Sequence, residues 1–128
     1  MPRTSINTHT TWENLAGFAR AVRVGQQIWV SGTTATDAEG HCVGGDDPAA
    51  QMRFILQKIE RAINQLGGDL QGVVRTRVYV RHIEDWEAVA RVHGEVFAEI
   101  RPTNTLVQAA LVGDEYLVEV EAEAVISD

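Results

Sequence analysis

The chain has 128 residues, with 11 Lys+Arg against 18 Asp+Glu for a formal charge of −7, and is 45% hydrophobic and 23% charged. This is the composition of one modestly acidic globular domain, which excludes a disordered, collagenous or coiled-coil chain. A single cysteine, Cys42, excludes an internal disulfide framework. No apolar run reaches the about 18 residues of a membrane span, and MPRTSINTHTTWENL has no apolar segment to serve as a secretion signal, so the expectation is a soluble cytoplasmic protein without membrane contact. The acidic balance also opposes attraction to phosphate backbones, and nucleic acid is not an expected partner.

In chain order, residues 18–33 (FARAVRVGQQIWVSGT) hold two β-rich runs around Gly25-Gln26 and predict a hairpin. The polar stretch ATDAEGHCVGGDD then reads as a loop, with room for one small strand. A first helix follows: Asp47 caps it, Pro48 suits its first turn, and Met52, Ile55, Leu56, Ile59, Ala62, Ile63 and Leu66 recur at helical spacing until Gly67-Gly68. A strand at Val73–His82 sets Arg75, Arg77, Tyr79 and Arg81 against Thr76, Val78, Val80 and His82. A second helix spans about Asp85 to Ile100, with Trp86, Val89, Ala90, Val96, Phe97 and Ile100 as its apolar stripe and Pro102 beyond its end. Two β-runs, Asn104–Leu111 and Tyr116–Ile126, read as a closing hairpin about Gly113-Asp114. The order β-β-α-β-α-β-β implies crossover connections and an α+β fold, one sheet with both helices on a single face.

In the final run Glu119, Glu121 and Glu123 point one way and Val118, Val120, Ala122 and Ala124 the other. The arginines of residues 73–82 are complementary, so adjacent placement makes cross-strand pairs worth about 0 to 1 kcal/mol each where exposed. Such a face is either solvated or covered by a symmetric partner, and periodicity alone does not choose.

Candidate chemistry is sparse. His93 lies on the second helix's apolar stripe and reads first as a hydrogen-bonded core histidine. Glu95 and Glu99 share that helix, but no second histidine stands four residues from His93, so no metal pair forms there. His9, His41 and Cys42 fall in scattered loops, and no metal site is expected. There is no Gly-rich phosphate loop, Gly-x-Ser-x-Gly elbow or Cys-x-x-Cys pair. What remains is Ser31-Gly32 at a strand end, Arg101-Pro102-Thr103-Asn104-Thr105 at a helix-to-strand junction, and Glu121.

Taken together, VSGTTA at 30–35, the amphipathic helix ending in LGG, VVRTRVYV at 73–80, RPTNTLVQAAL and VEVEAEAV resemble the Rid (YjgF, reactive intermediate deaminase) family over about residues 17–126. The resemblance implies a single domain, 1–128, of chorismate-mutase-like α+β fold. It also implies a homotrimeric barrel, with sheets inside, helices outside, and clefts between subunits that bind a small molecule. In deaminating members an arginine grips the carboxylate of a 2-imino or 2-enamino acid and a glutamate positions the attacking water, with no metal or organic cofactor.

Transferred to this chain, the strand-end glycine falls on Gly32, the glutamate on Glu121, and the cleft-entrance aromatic on Phe18. The arginine falls on Asn104, with Thr105 and Leu106 after it; His93 and Glu95 lie near the family's helix asparagine. A neutral amide forgoes a charge-assisted contact of about 1.5 to 3 kcal/mol, roughly 10 to 150-fold in binding or rate. Arg101 or Arg20 is the available substitute cation. The expectation is therefore an arginine-less homologue with hydrolytic or proton-transfer chemistry at Glu121, assisted by His93 or Glu95. The alternatives are an imine deaminase with a substitute cation and a non-catalytic ligand-binding or protein-protecting module. Ribonuclease activity, a label carried by some relatives, finds no basic or aromatic strip to support it.

Overall fold

The computed structural model describes residues 2–8 and 10–127; His9 lies outside them. Six strands form one sheet in the order β1-β2-β3-β6-β4-β5. They are β1 (Arg3–Ile6), β2 (Ala21–Val24), β3 (Gln27–Thr33), β4 (Val73–Val80), β5 (Thr103–Gln108) and β6 (Val118–Val125), with helices α1 (Thr11–Ala16), α2 (Pro48–Gln65) and α3 (Trp86–Phe97).

The predicted hairpin is β2–β3, turning where Gly25 takes a φ of 60°, a left-handed conformation that glycine adopts without a Cβ penalty. α2 begins as expected: Asp47 Oδ1 accepts from the Ala49 and Ala50 N–H groups at 3.0 and 3.3 Å. All seven apolar positions read from its periodicity are buried. They pack on Ile28 and Val30 of β3, on Val78 and Val80 of β4, and on the Val118, Val120, Ala122 and Ala124 side of β6. On α3 the buried residues are Val89, Val92 and Phe97, whereas Trp86 is 51% exposed.

One expectation is overturned: the last two strands do not form a hairpin. β5 pairs in parallel with β4 at the sheet edge, and β6 inserts antiparallel between β3 and β4. The α3 crossover carries the chain to the outer side of β4, and the return is governed by Arg81. Its Nε donates to the Tyr116 carbonyl at 2.8 Å and its Nη2 to the Leu111 and Gly113 carbonyls at 3.0 and 2.6 Å. Residues 109–117 are thereby folded across the strand ends. Sequence proximity is a poor guide where the loop is tied to a third element. The Arg/Glu complementarity does hold, as Arg75 opposes Glu123 and Arg77 opposes Glu121.

β1 and α1 were not foreseen. RTSI carries no alternation and joins the sheet edge through backbone pairing with β2, and six helical residues are too few for periodicity to declare itself. In the loop of residues 34–47 the anticipated small strand is a single bridge, Thr36 to Cys42. No helix among the described residues is long and apolar enough to cross a membrane.

Gln51, fully buried on α2, stitches the two long loops together. Its Nε2 donates to the carbonyls of Gly45 and Glu115 at 2.8 and 3.0 Å, and its Oε1 accepts from the Leu117 N–H at 2.9 Å. Gln51→Leu removes the side-chain partner of three part-buried backbone groups and should cost about 1 to 3 kcal/mol, read as a lower urea midpoint at unchanged m-value.

Candidate functional site

A cavity of about 260 Å³ opens beside the ends of β3 and β6, lined by Thr10, Trp12, Leu15, Ala16, Phe18, Arg20, Gly32, Thr34, Lys58, Val112 and Glu119. Its floor is set by an irregularity in the β3–β6 ladder: pairing is regular through Val30–Ala122, resumes at Thr33–Val120, and leaves Ser31 and Gly32 between. Ser31 turns back to bond the Ala19 carbonyl at 2.7 Å. Gly32 faces Glu119 so closely that a Cβ there would lie 2.3 Å from Glu119 Oε2. Any larger residue at position 32 would have to displace the Glu119 carboxylate from that space.

The apolar wall comes from α1 and its flanks. Leu15 is 83% exposed and Val112 72%. Trp12 packs edge-on against Tyr116, ring centroids 5.9 Å apart. α1 itself is tethered by Glu13, whose buried carboxylate accepts from Thr8 N and Oγ1 at 3.0 and 2.8 Å and from Thr10 N and Oγ1 at 3.3 and 2.7 Å. Burial pushes the Glu13 pKa up, but these bonds outweigh it and the net direction is downward.

The inner wall is charged. Arg20, 5% exposed, lies 3.7 Å from Glu13 (Nε to Oε2), donates from Nη1 to Thr33 Oγ1 at 3.4 Å, and has its guanidinium carbon 5.5 Å from the Phe18 ring centroid. Lys58 Nζ donates to the Thr36 carbonyl at 2.9 Å, and burial followed by repulsion from Arg20 lowers its pKa to about 8. The Glu119 pKa is raised by burial, partly offset by Arg20 and reinforced by Glu121.

The structure brings Phe18 and Gly32 together here, but not Glu121. On the open face of the sheet Glu121 Oε1 accepts from the Tyr79 hydroxyl, and Oε2 lies 3.7 Å from Arg77 Nη1. The acid at the cavity is Glu119, two residues earlier; alternation puts both on one face and cannot distinguish them. Of the substitute cations, Arg20 lines the cavity. Arg101 is exposed at the end of α3, where its φ of 57° lets its N–H bond the Phe97 carbonyl at 2.8 Å. Lys58, Trp12 and Val112 had no motif to mark them.

A second cluster lies at the β5 edge. Asn104 Nδ2 donates to the buried Thr76 Oγ1 at 2.9 Å, and the same hydroxyl is 2.8 Å from His93 Nε2. The His93 ring centroid lies 4.6 Å from that of Phe97, the planes tilted by 41°, and burial lowers the His93 pKa. Leu106 packs against the core, while Thr105 is exposed opposite Arg77. Glu95 is on the outer surface, 3.3 Å from Arg53. Within one chain Asn104 does not reach the cavity, because β4 separates β5 from β6 by two strand spacings, about 10 Å. Among the described residues no three His, Cys, Asp or Glu side chains form a group that could hold a metal ion.

The raised Glu119 pKa has a testable consequence for stability. The folded state holds this proton more tightly than the unfolded chain, so its contribution is complete below the unfolded pKa near 4.5 and is lost as pH rises through the folded value. Glu119→Gln should therefore be more stable than the parent at pH 7, with the difference shrinking toward pH 4 in paired denaturation curves.

Comparison with known proteins follows this geometry. The family model described as Endoribonuclease L-PSP matches residues 8–126. The chain is 38% identical over 120 residues to the uncharacterized protein SCO2049 of Streptomyces coelicolor, covering 93% of this chain and 89% of that one. It is 32% identical over 124 residues to the 3-aminoacrylate deaminase RutC of Acinetobacter baylyi, covering 97% and 98%. Among solved structures it resembles Rv2704 of Mycobacterium tuberculosis, a member of the YjgF/YER057c/UK114 family, with a TM-score of 0.88, 41% identity, and 98% and 100% of the two chains covered.

Proposed function

The chain belongs to the Rid/YjgF family, and from that premise we propose that it hydrolyses a small imine or enamine in the Glu119 cleft, which is completed by a neighbouring copy. The observation that carries this reading is the Glu119 carboxyl, seated against Gly32 in a small, half-apolar cavity and holding its proton more tightly than a free glutamate. Such a group suits proton transfer in both directions. An enamine first takes a proton at carbon to become the imine; as carboxylate, Glu119 then takes a proton from water as the water oxygen bonds the C=N carbon, and as acid it returns that proton to the nitrogen, which leaves as ammonia while the carbinolamine hydroxyl gives up its proton to form the carbonyl. The products are a carbonyl compound and ammonia, with atoms balanced and no cofactor. RutC, at 32% identity, is named for the same class of reaction.

The role given from sequence to Glu121 is assigned instead to Glu119. Glu121, with Arg77 and Tyr79, is placed in the contact between copies. That contact is supported by an open sheet face on which Trp29, Val74, Val107 and Val125 stand exposed. The proposed assembly is a homotrimer in which the β5 edge of a second copy brings Asn104 and Thr105 to the cleft, with His93 positioning Asn104 through Thr76. Light scattering should give three chains of 14.1 kDa, about 42 kDa; a 14.1 kDa particle overturns the shared cleft.

Activity is tested by ammonia release from freshly generated imino acids. Acceleration over buffer is expected, reduced about 10² to 10⁴-fold in Glu119→Gln and far less in Glu121→Gln. No acceleration, or an active Glu119→Gln, sinks the catalytic assignment. Asn104 favours a second reading, a ligand-holding module without turnover, because a neutral amide cannot anchor a carboxylate as arginine does. Thermal stabilisation by a metabolite that is never consumed would select it. The charge of −7 weighs against RNA.

A further inference from the structure

Two cations, Arg20 and Lys58, share this cleft with the acids Glu13 and Glu119, yet among the described residues neither cation is hydrogen-bonded to a carboxylate. Arg20 is buried, yet among the described residues its Nε–H makes no hydrogen bond. The carboxylate beside it, Glu13, is already engaged by four donors from Thr8 and Thr10. Lys58 has no carboxylate within ion-pair distance among the described residues. Its one bond, to the Thr36 carbonyl, uses one of three ammonium donors. Charges held this way cost stability unless something pairs with them.

We propose that Lys58, backed by Arg20, is the anion-binding group of this cleft, and that its ligand is a small monocarboxylate whose apolar body packs on Trp12, Leu15, Phe18 and Val112. The proposal rests on the reading of this cavity as the ligand cleft and adds the group that recognises the ligand's charge. A carboxylate at Lys58 pairs the cation of this cleft that has no ion-pair partner among the described residues and supplies what Asn104 lacks. It also leaves Glu119, on β6, free beside Gly32. A cavity of about 260 Å³ lies below the range that holds drug-sized ligands, which favours a few-carbon acid. The exposed Leu15 and Val112 select a branched aliphatic or aromatic substituent over a polar one. Lys58 is faced by Arg20 and Glu13 from the N-terminal segments, Asp37 from the loop before α2, and Arg61 from its own helix. With its pKa held at about 8, it is mostly charged at neutral pH and loses that charge a little above it.

The test uses 3-methylbutanoate and its neutral isostere 3-methylbutanamide as probes, titrated into the full chain and followed by backbone NMR and calorimetry. Expected at pH 7 are perturbed Gly32 and Phe18 resonances and carboxylate binding at least about tenfold tighter than amide binding. Lys58→Met should reduce the carboxylate to the amide's affinity and leave the amide's unchanged, while Lys58→Arg should retain the preference. Independently of any variant, the wild-type preference for the carboxylate should fade between pH 7 and 9.5. Carboxylate binding that perturbs Gly32 and Phe18 but ignores both Lys58→Met and this pH rise overturns the Lys58 assignment alone. If neither probe perturbs those resonances, the cleft reading is overturned along with it.

Discussion

The structure depends on β6 lying between β3 and β4. Its alternating sequence satisfies both faces of the sheet at once: Val118, Val120, Ala122 and Ala124 fill the core under α2, while Glu119, Glu121 and Glu123 meet Tyr79, Arg77 and Arg75 across the β4 ladder. A one-residue slip would put three carboxylates into the core, so the register is specified by a penalty of many kcal/mol rather than by any single contact. From that register follow the bulge at Ser31-Gly32, the position of Glu119 against it, and the exclusion of β5 to an edge.

The cleft shows what this arrangement costs locally. Burial raises the pKa of Glu119 and lowers that of Lys58, both shifts disfavouring the charged form. Glu13 moves the other way because four hydrogen-bond donors outweigh its burial. The difference separates a structural carboxylate, fully satisfied and tying α1 down, from one kept under-satisfied beside an open cavity. Perturbed groups of the second kind are what a site of proton transfer needs.

The division of the candidate residues into two clusters bears on the proposed assembly. Phe18, Gly32 and Glu119 stand together, and Asn104, Thr76 and His93 stand together, with β4 between the strands that carry them. A single chain therefore holds the two clusters apart. Association through the open sheet face and the β5 edge is the arrangement in which they could face one another from different copies.

Much of the fold was legible in the amino-acid order because it rests on local periodicity. The seven apolar positions of α2, its Asp47 cap, the Gly25 turn and the alternation of β4 and β6 each repeat a short-range rule. The failures share one cause. The closing hairpin, and the silence over Lys58, α1 and the cavity position of Glu119, all concern which residues meet across long separations. Residue order by itself determined the longer elements and the faces they bury, because those follow from spacings of two and 3.6 residues, and its short motifs carried the resemblance to the family. Only the tertiary structure decided that Arg81 sends the last strand into the middle of the sheet, and that Glu119, not its identical neighbour two positions on, shares a cavity with Lys58. Two glutamates on the same face of one strand differ in nothing but what the rest of the chain packs against them.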